Sequence, residues 1–142
     1  MNTIYLSENH TDLQRVYADF MPQNLYKKAD LLETPEKFSD TQYIFSTWGM
    51  PKLTEDEIAD CLPNLRAVFY AAGSVQSFAR PFLNRGIKVF SAWAANAVPV
   101  AEYTVAQIIL ANKGFFAASR LMSRGEVSPA YTISSKYPGN II

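Results

Sequence analysis

Short β-rich apolar runs alternate along the chain with segments whose apolar residues recur at helical spacing. That alternation is the pattern of an α/β domain built on a parallel sheet. Thr3 to Leu6 reads as a first strand. Thr11-Asp12-Leu13-Gln14 has the capping-box form, and Leu13, Val16, Tyr17 and Phe20 continue at helical spacing until Pro22 can end the helix. A short strand near Leu31-Leu32 and a brief helical turn over Pro35 to Phe38 are expected next. Tyr43 to Trp48 is aromatic and β-branched and stops at Gly49-Met50-Pro51, so it reads as a strand running into a turn. Thr54-Glu55-Asp56-Glu57 forms a second capping box, whose helix should end near Pro63-Asn64.

Ala67 to Ala72 is a continuous apolar run of strand length that ends at Gly73-Ser74, as expected of a buried parallel strand feeding a tight loop. A helix is predicted from Val75 to Asn84, then a strand over Ile87 to Ser91. Pro99 suits the first turn of a further helix and Glu102 its positive end, with basic residues closing it at Arg124 before Gly125. Such a helix would span about 39 Å at 1.5 Å per residue. Its Ile108, Ile109, Leu110, Phe115 and Phe116 spread around the cylinder, so it requires cover on several sides, from another domain or another subunit. Glu126 to Ile142 has no clear periodicity.

Composition narrows the setting. The chain has 142 residues, 49% of them hydrophobic and 18% charged, enough for one compact domain. A net charge of +0 and a pI near 6.6 lack the basic footprint of a nucleic-acid binder. No polybasic patch, signal-peptide pattern or uninterrupted apolar run of about 18 residues is present, so the expectation is a cytoplasmic protein with no membrane or nucleic-acid partner. The single cysteine, Cys61, allows no internal disulfide and is assigned a packing role. The acids of Glu55 to Glu57 are assigned to helix-start chemistry, and no metal site is expected. His10, the only histidine, has no nucleophile pattern beside it.

Ligands of open parallel sheets collect at the carboxyl ends of the strands. Four loops qualify: Ser7-Glu8-Asn9, Trp48-Gly49-Met50, Gly73-Ser74-Val75 and Trp93 to Asn96. The third is the most suggestive, because a glycine between strand and helix lets the chain turn sharply and the following N–H groups can face an anion. Asn96 either grips the same ligand or holds its own loop through local backbone bonds. Trp48 and Trp93 either wall a pocket or serve as ordinary core. The G-x-G-x-x-G nucleotide fingerprint is absent.

Leu53-Thr54-Glu55, Pro63-Asn64-Leu65-Arg66, Ala72-Gly73-Ser74, Asn84-Arg85-Gly86-Ile87-Lys88-Val89 and Asn96-Ala97-Val98-Pro99-Val100-Ala101-Glu102-Tyr103-Thr104 follow one another in a familiar order. From about Tyr43 to Asn140 the chain resembles the N-terminal half of D-isomer-specific 2-hydroxyacid dehydrogenases. That family also includes phosphoglycerate, glycerate, formate and phosphite dehydrogenases.

The resemblance implies a flavodoxin-like parallel sheet with helices on both faces, plus a long C-terminal interdomain helix. Residues 1–98 would be the substrate-binding domain, 99–125 the interdomain helix, and 126–142 the lead-in to a Rossmann domain that this chain does not contain. It implies a substrate carboxylate held by the backbone of Gly73, Ser74 and Val75, with Asn96 at the substrate; Trp48, from its place at a strand end, is a further substrate-binding candidate. Ala97 and Val100 would approach the nicotinamide of NAD or NADP. The family's catalytic Arg, Glu and His lie later, so no catalytic residue is assigned and the chain alone is expected to be inactive. Its implied share of the work is to orient a D-2-hydroxy or 2-keto acid for hydride transfer. Expected partners are a small carboxylic acid and, through the apolar helix, a second copy in a homo-oligomer. The competing reading is a stand-alone small-carboxylate-binding or regulatory module without catalysis. Two departures from the family pattern stand in the loop: Val75 replaces the usual second glycine, and Ser77 the following acidic residue.

Overall fold

The computed structural model of the chain describes residues 2–20 and 23–125, so the expectations for Pro22 and for 126–142 lie outside the described residues. Five strands, β1 (Thr3–Leu6), β2 (Leu25–Tyr26), β3 (Tyr43–Ser46), β4 (Ala67–Tyr70) and β5 (Lys88–Ser91), form one sheet in the order β2-β1-β3-β4-β5. Every pairing is parallel. This is the flavodoxin-like order, with its reversal between β1 and β3.

Because side chains alternate across a strand, the register sorts the sheet into two unlike faces. On one face Ile4, Ile44, Val68 and Val89 stand opposite one another across four strands. They form the core with Leu31 of α2 (Lys28–Glu33), Phe38 of a 3-10 turn (Pro35–Phe38), Ile58 of α3 (Glu55–Cys61) and Phe82 of α4 (Ala79–Asn84). Each of those apolar side chains, once withdrawn from water, contributes about 1.5–3 kcal/mol. The other face carries Tyr5, Phe45, Phe69 and Phe90 in the same register, stacked ring on ring at 5.5, 5.0 and 5.1 Å. Helix α1 (His10–Val16) and the following Tyr17 cover its β1 and β3 end, with the Tyr17 ring edge-on to Tyr5 and Phe45. Cover thins toward β5, where Phe90 is 49% exposed. Helices therefore lie on both faces, unequally, and β4 is a half-covered strand where its apolar run suggested burial on both sides.

Local chemistry explains where the elements differ from the sequence reading. Helix α1 is capped by Asn9, whose side chain accepts from the Asp12 N–H, two residues before the expected Thr11. Leu31-Leu32 lies in α2, because the Asp30 carboxylate accepts from the Lys27 N–H at 2.7 Å and closes a helix start there; the strand is Leu25–Tyr26. The Thr54 and Glu57 box caps α3 as expected. Cys61 is a buried free thiol of the core, and burial raises its pKa above the ordinary value.

The chain divides into two compact units, the first ending at Asn96 and the second beginning at Ala97. The single helix expected from Pro99 to Arg124 is two helices, α5 (Trp93–Asn112) and α6 (Phe115–Ser123). The alanines after Ala92 favour helix strongly enough to start it early, and the Asn96 N–H already bonds the Ala92 carbonyl at 2.9 Å. Pro99 is thereby placed inside the helix, without an N–H to donate. Gly114, at φ +71° in the left-handed region, separates α5 from α6. No residue of α5 or α6 is buried; Ile108 and Ile109 are both more than half exposed. By length and composition α5 is the one described helix that passes for a membrane span, at a mean hydropathy of 1.2. A helix covered by protein on several sides has the same composition, and a bilayer would have to accommodate Asn96, Pro99 and Glu102.

Candidate substrate-binding site

The reversal between β1 and β3 is where an open sheet of this order offers its crevice. Here that crevice is laced shut. The Glu8 N–H donates to the Gly49 carbonyl at 2.8 Å, and the buried Ser7 hydroxyl bonds the Trp48 carbonyl at 3.0 Å and the Asn9 carbonyl at 3.1 Å. Gly49 adopts φ +89°, and a Cβ there would stand 2.7 Å from the Ser7 oxygen. Trp48 is half exposed, with the Arg15 guanidinium 6.0 Å from its ring centre.

The loop after β4 is different. The Ala71 N–H bonds the Ser46 carbonyl at 2.8 Å, and Ala72 is buried, which anchors the loop's entry. At its exit the N–H groups of Phe78 and Ala79 both return to the Val75 carbonyl, at 3.2 and 2.9 Å. Helix α4 therefore begins at Ala79, not at Val75 as the sequence suggested. Between these anchors the N–H groups of Gly73, Ser74, Val75, Gln76 and Ser77 find no acceptor among the described residues. Five successive uncommitted donors can satisfy an anion, which repays their hydrogen-bonding demand where water would otherwise have to.

Asn96, the fourth residue of α5, closes one side of this loop: a Cβ on Gly73 would lie 3.0 Å from its side-chain nitrogen. Gly73 and Asn96 are thus neighbours. Val75, which stands where the resemblance expects a glycine, packs its side chain against the core. Arg80 lines, with Val75, Gln76, Ala79 and Leu83, a groove of about 500 Å³. Trp48 belongs to the β1–β3 side of the sheet end, and nothing joins its indole to Gly73. Trp93 opens α5 and is 67% exposed. Ala97 and Val100 lie in the second unit and are exposed.

The sequence reading missed Ser91. Its hydroxyl reaches both the Ala72 carbonyl, at 3.0 Å, and the Gly73 carbonyl, at 2.5 Å. The available signal was a hydroxyl at the carboxyl end of the apolar strand Val89-Phe90. His10 keeps Nε2 buried without a hydrogen-bond partner. Among the described residues no cluster of His, Cys, Asp and Glu is arranged to hold a metal ion.

No family model matches the sequence, and no curated protein matches it. Among solved structures the chain is similar to the NAD-dependent formate dehydrogenase of Staphylococcus aureus in complex with NAD. That match has 17% identity and a TM-score of 0.57, covering 95% of this chain and 45% of the enzyme. It is also similar to the apo form of D-lactate dehydrogenase from Escherichia coli, at 15% identity and a TM-score of 0.48, covering 91% of this chain and 42% of that one. At 17% identity the formate dehydrogenase likeness shows a shared α/β fold. The chain spans less than half the length of either enzyme.

Proposed function

We propose that the chain is the substrate-binding portion of an NAD(P)-dependent oxidoreductase that transfers a hydride between a nicotinamide cofactor and a D-2-hydroxy or 2-keto acid. The observation that carries this reading is the run of uncommitted N–H groups from Gly73 to Ser77, which starts beside the Asn96 amide. A carboxylate accepts several N–H bonds at once, and such charge-assisted bonds are about twice as strong as neutral ones. Fold likeness to an enzyme crystallised with NAD, and the order of motifs shared with the 2-hydroxyacid dehydrogenases, support the same direction.

In this reading Gly73, Ser74 and Val75 bind the carboxylate and Asn96 holds the oxygen on the adjacent carbon. That fixes which face of the carbon is presented, the chain's own contribution to rate through orientation. When bound, NAD or NADP supplies the hydride acceptor or donor. Ala97 and Val100, small apolar side chains without donors or acceptors, would lie against the nicotinamide ring. No group of this chain is assigned the proton transfer. The exposed apolar residues of α5 support a homo-oligomer, and the neutral composition supports a cytoplasmic setting without nucleic-acid or membrane partners.

The test is an amide-resolved NMR titration of the chain with glyoxylate, using methylammonium chloride as a cation control. Saturable shifts at Gly73 to Gln76 and at the Asn96 side chain are expected, with no NADH oxidation by the chain alone. Shifts confined to other loops, or turnover from a clean preparation, would overturn the assignment.

A further inference from the structure

Ser91, at the end of β5, commits its hydroxyl to the neighbouring loop and so bears on how that loop leaves the sheet. One proton shared between two carbonyl oxygens makes a three-centre bond, and both acceptors, Ala72 and Gly73, are consecutive. A trans peptide is planar, so its C=O and N–H point in opposite directions. Holding the Ala72 carbonyl toward β5 therefore turns the Gly73 N–H away from β5. Holding the Gly73 carbonyl likewise turns the Ser74 N–H away. These are two of the donors that find no acceptor among the described residues. The rest of the local network agrees with this division: the Ala92 N–H bonds the Tyr70 carbonyl at 3.0 Å and brings the end of β5 alongside β4, so Ser91 sits where it can reach past the last ladder bond.

We propose that Ser91 is the positioning residue of the carboxylate loop: its hydroxyl, from the neighbouring strand, sets the two peptide planes that aim the Gly73 and Ser74 N–H groups at the ligand. This rests on the reading of the loop as a carboxylate site. It assigns to β5 a role beyond strand packing. Without the hydroxyl, both peptides can rotate, and the Gly73 carbonyl can turn its negative end toward the anion.

The experiment compares wild type, Ser91→Ala, Ser91→Cys and Ser91→Thr in the full 142-residue chain, first without ligand and then in a glyoxylate titration. Cysteine keeps the size but offers a weak S–H donor, and threonine keeps the hydroxyl on a residue suited to a strand. Expected without ligand are displaced amide signals of Gly73 and Ser74 in S91A and S91C, with Val68 and Val89 unmoved and S91T close to wild type. With glyoxylate, the dissociation constant should rise about 3- to 10-fold in S91A and S91C, the range of one hydrogen bond's net worth, and return in S91T. Unmoved Gly73 and Ser74 signals, or equal glyoxylate affinity in S91A and wild type, would overturn the proposal. If wild type itself ignores glyoxylate, the carboxylate reading falls, and the ligand-free signals still decide whether Ser91 sets the two peptides. Should S91A fail to fold, S91C against S91T carries the same comparison.

Discussion

Gly73 and Asn96 meet so closely that a methyl group on Gly73 would stand 3.0 Å from the Asn96 side-chain nitrogen. Gly73 itself has no positive φ, so alanine there meets a neighbour and not a forbidden backbone. Gly73→Ala should fold and lose about 0.5–1.5 kcal/mol, the cost of driving a side chain off its rotamer. The Asn96 side-chain amide signals should move with it. A urea midpoint together with those two signals checks this, and an unmoved Asn96 would refute the contact.

Gly49 is the opposite case. Its φ of +89° and the Ser7 oxygen 2.7 Å from a would-be Cβ penalise any side chain twice. Gly49→Ala should cost about 1–3 kcal/mol from backbone strain with the steric term added. Gly86→Ala supplies the comparison, since Gly86 has φ +74° and nothing within 4 Å of a Cβ. The excess loss at Gly49 in parallel urea melts measures the closure of the β1–β3 crevice.

Tyr17 donates to the Ser46 carbonyl at 3.1 Å, and burial, with Tyr5 beside it, pushes its pKa up to about 12 from 10.0. A group whose folded pKa is raised contributes stability that is complete below the unfolded value and lost as pH rises through the folded one. Stability should therefore fall between about pH 10 and pH 12. Tyr17→Phe should flatten that limb while losing about 1 kcal/mol at neutral pH with the hydrogen bond. Denaturant midpoints across the alkaline range provide the measurement.

Glu57 joins two helix starts. It accepts from the Thr54 N–H at 2.8 Å and lies 2.7 Å from the Lys28 ammonium, whose hydrogen bond, with the Thr54 N–H next, lowers its pKa. The sign is reversed from Tyr17: this stabilisation is present above the ordinary glutamate range and disappears as pH falls through the lowered value. Glu57→Gln should remove that acid-side slope, whereas Thr54→Ala should keep it and lose about 1 kcal/mol at every pH. Acid-limb melts of the two variants separate the ion pair from the cap.

The hydrophobic periods of Tyr43–Ser46 and Ala67–Tyr70 and the Thr54–Glu57 box were legible because each is decided within a few residues. Leu31-Leu32 was misread because leucine spacing alone does not separate a two-residue strand from one turn of helix; the distinction came from Asp30 closing on Lys27. The break at Gly114 was lost inside a long apolar stretch whose composition favours helix on either side. At the site, Gly73 was visible as a turn-maker after an apolar strand. Ser91 was not, because its importance lies in which carbonyls the register of β5 on β4 puts within its reach, and register is a tertiary fact.

The row of rings from Tyr5 to Phe90 carries a last consequence for work with this protein. Near β5 that row opens into a shallow apolar hollow lined by Phe69 and Phe90. Fluorescent dyes that brighten on wet hydrocarbon should therefore bind the fully native chain there. Bright dye signal, the usual sign of a loosened molten state, would in this protein report an intact sheet, and its loss on Phe90→Ser would be the mark of native binding.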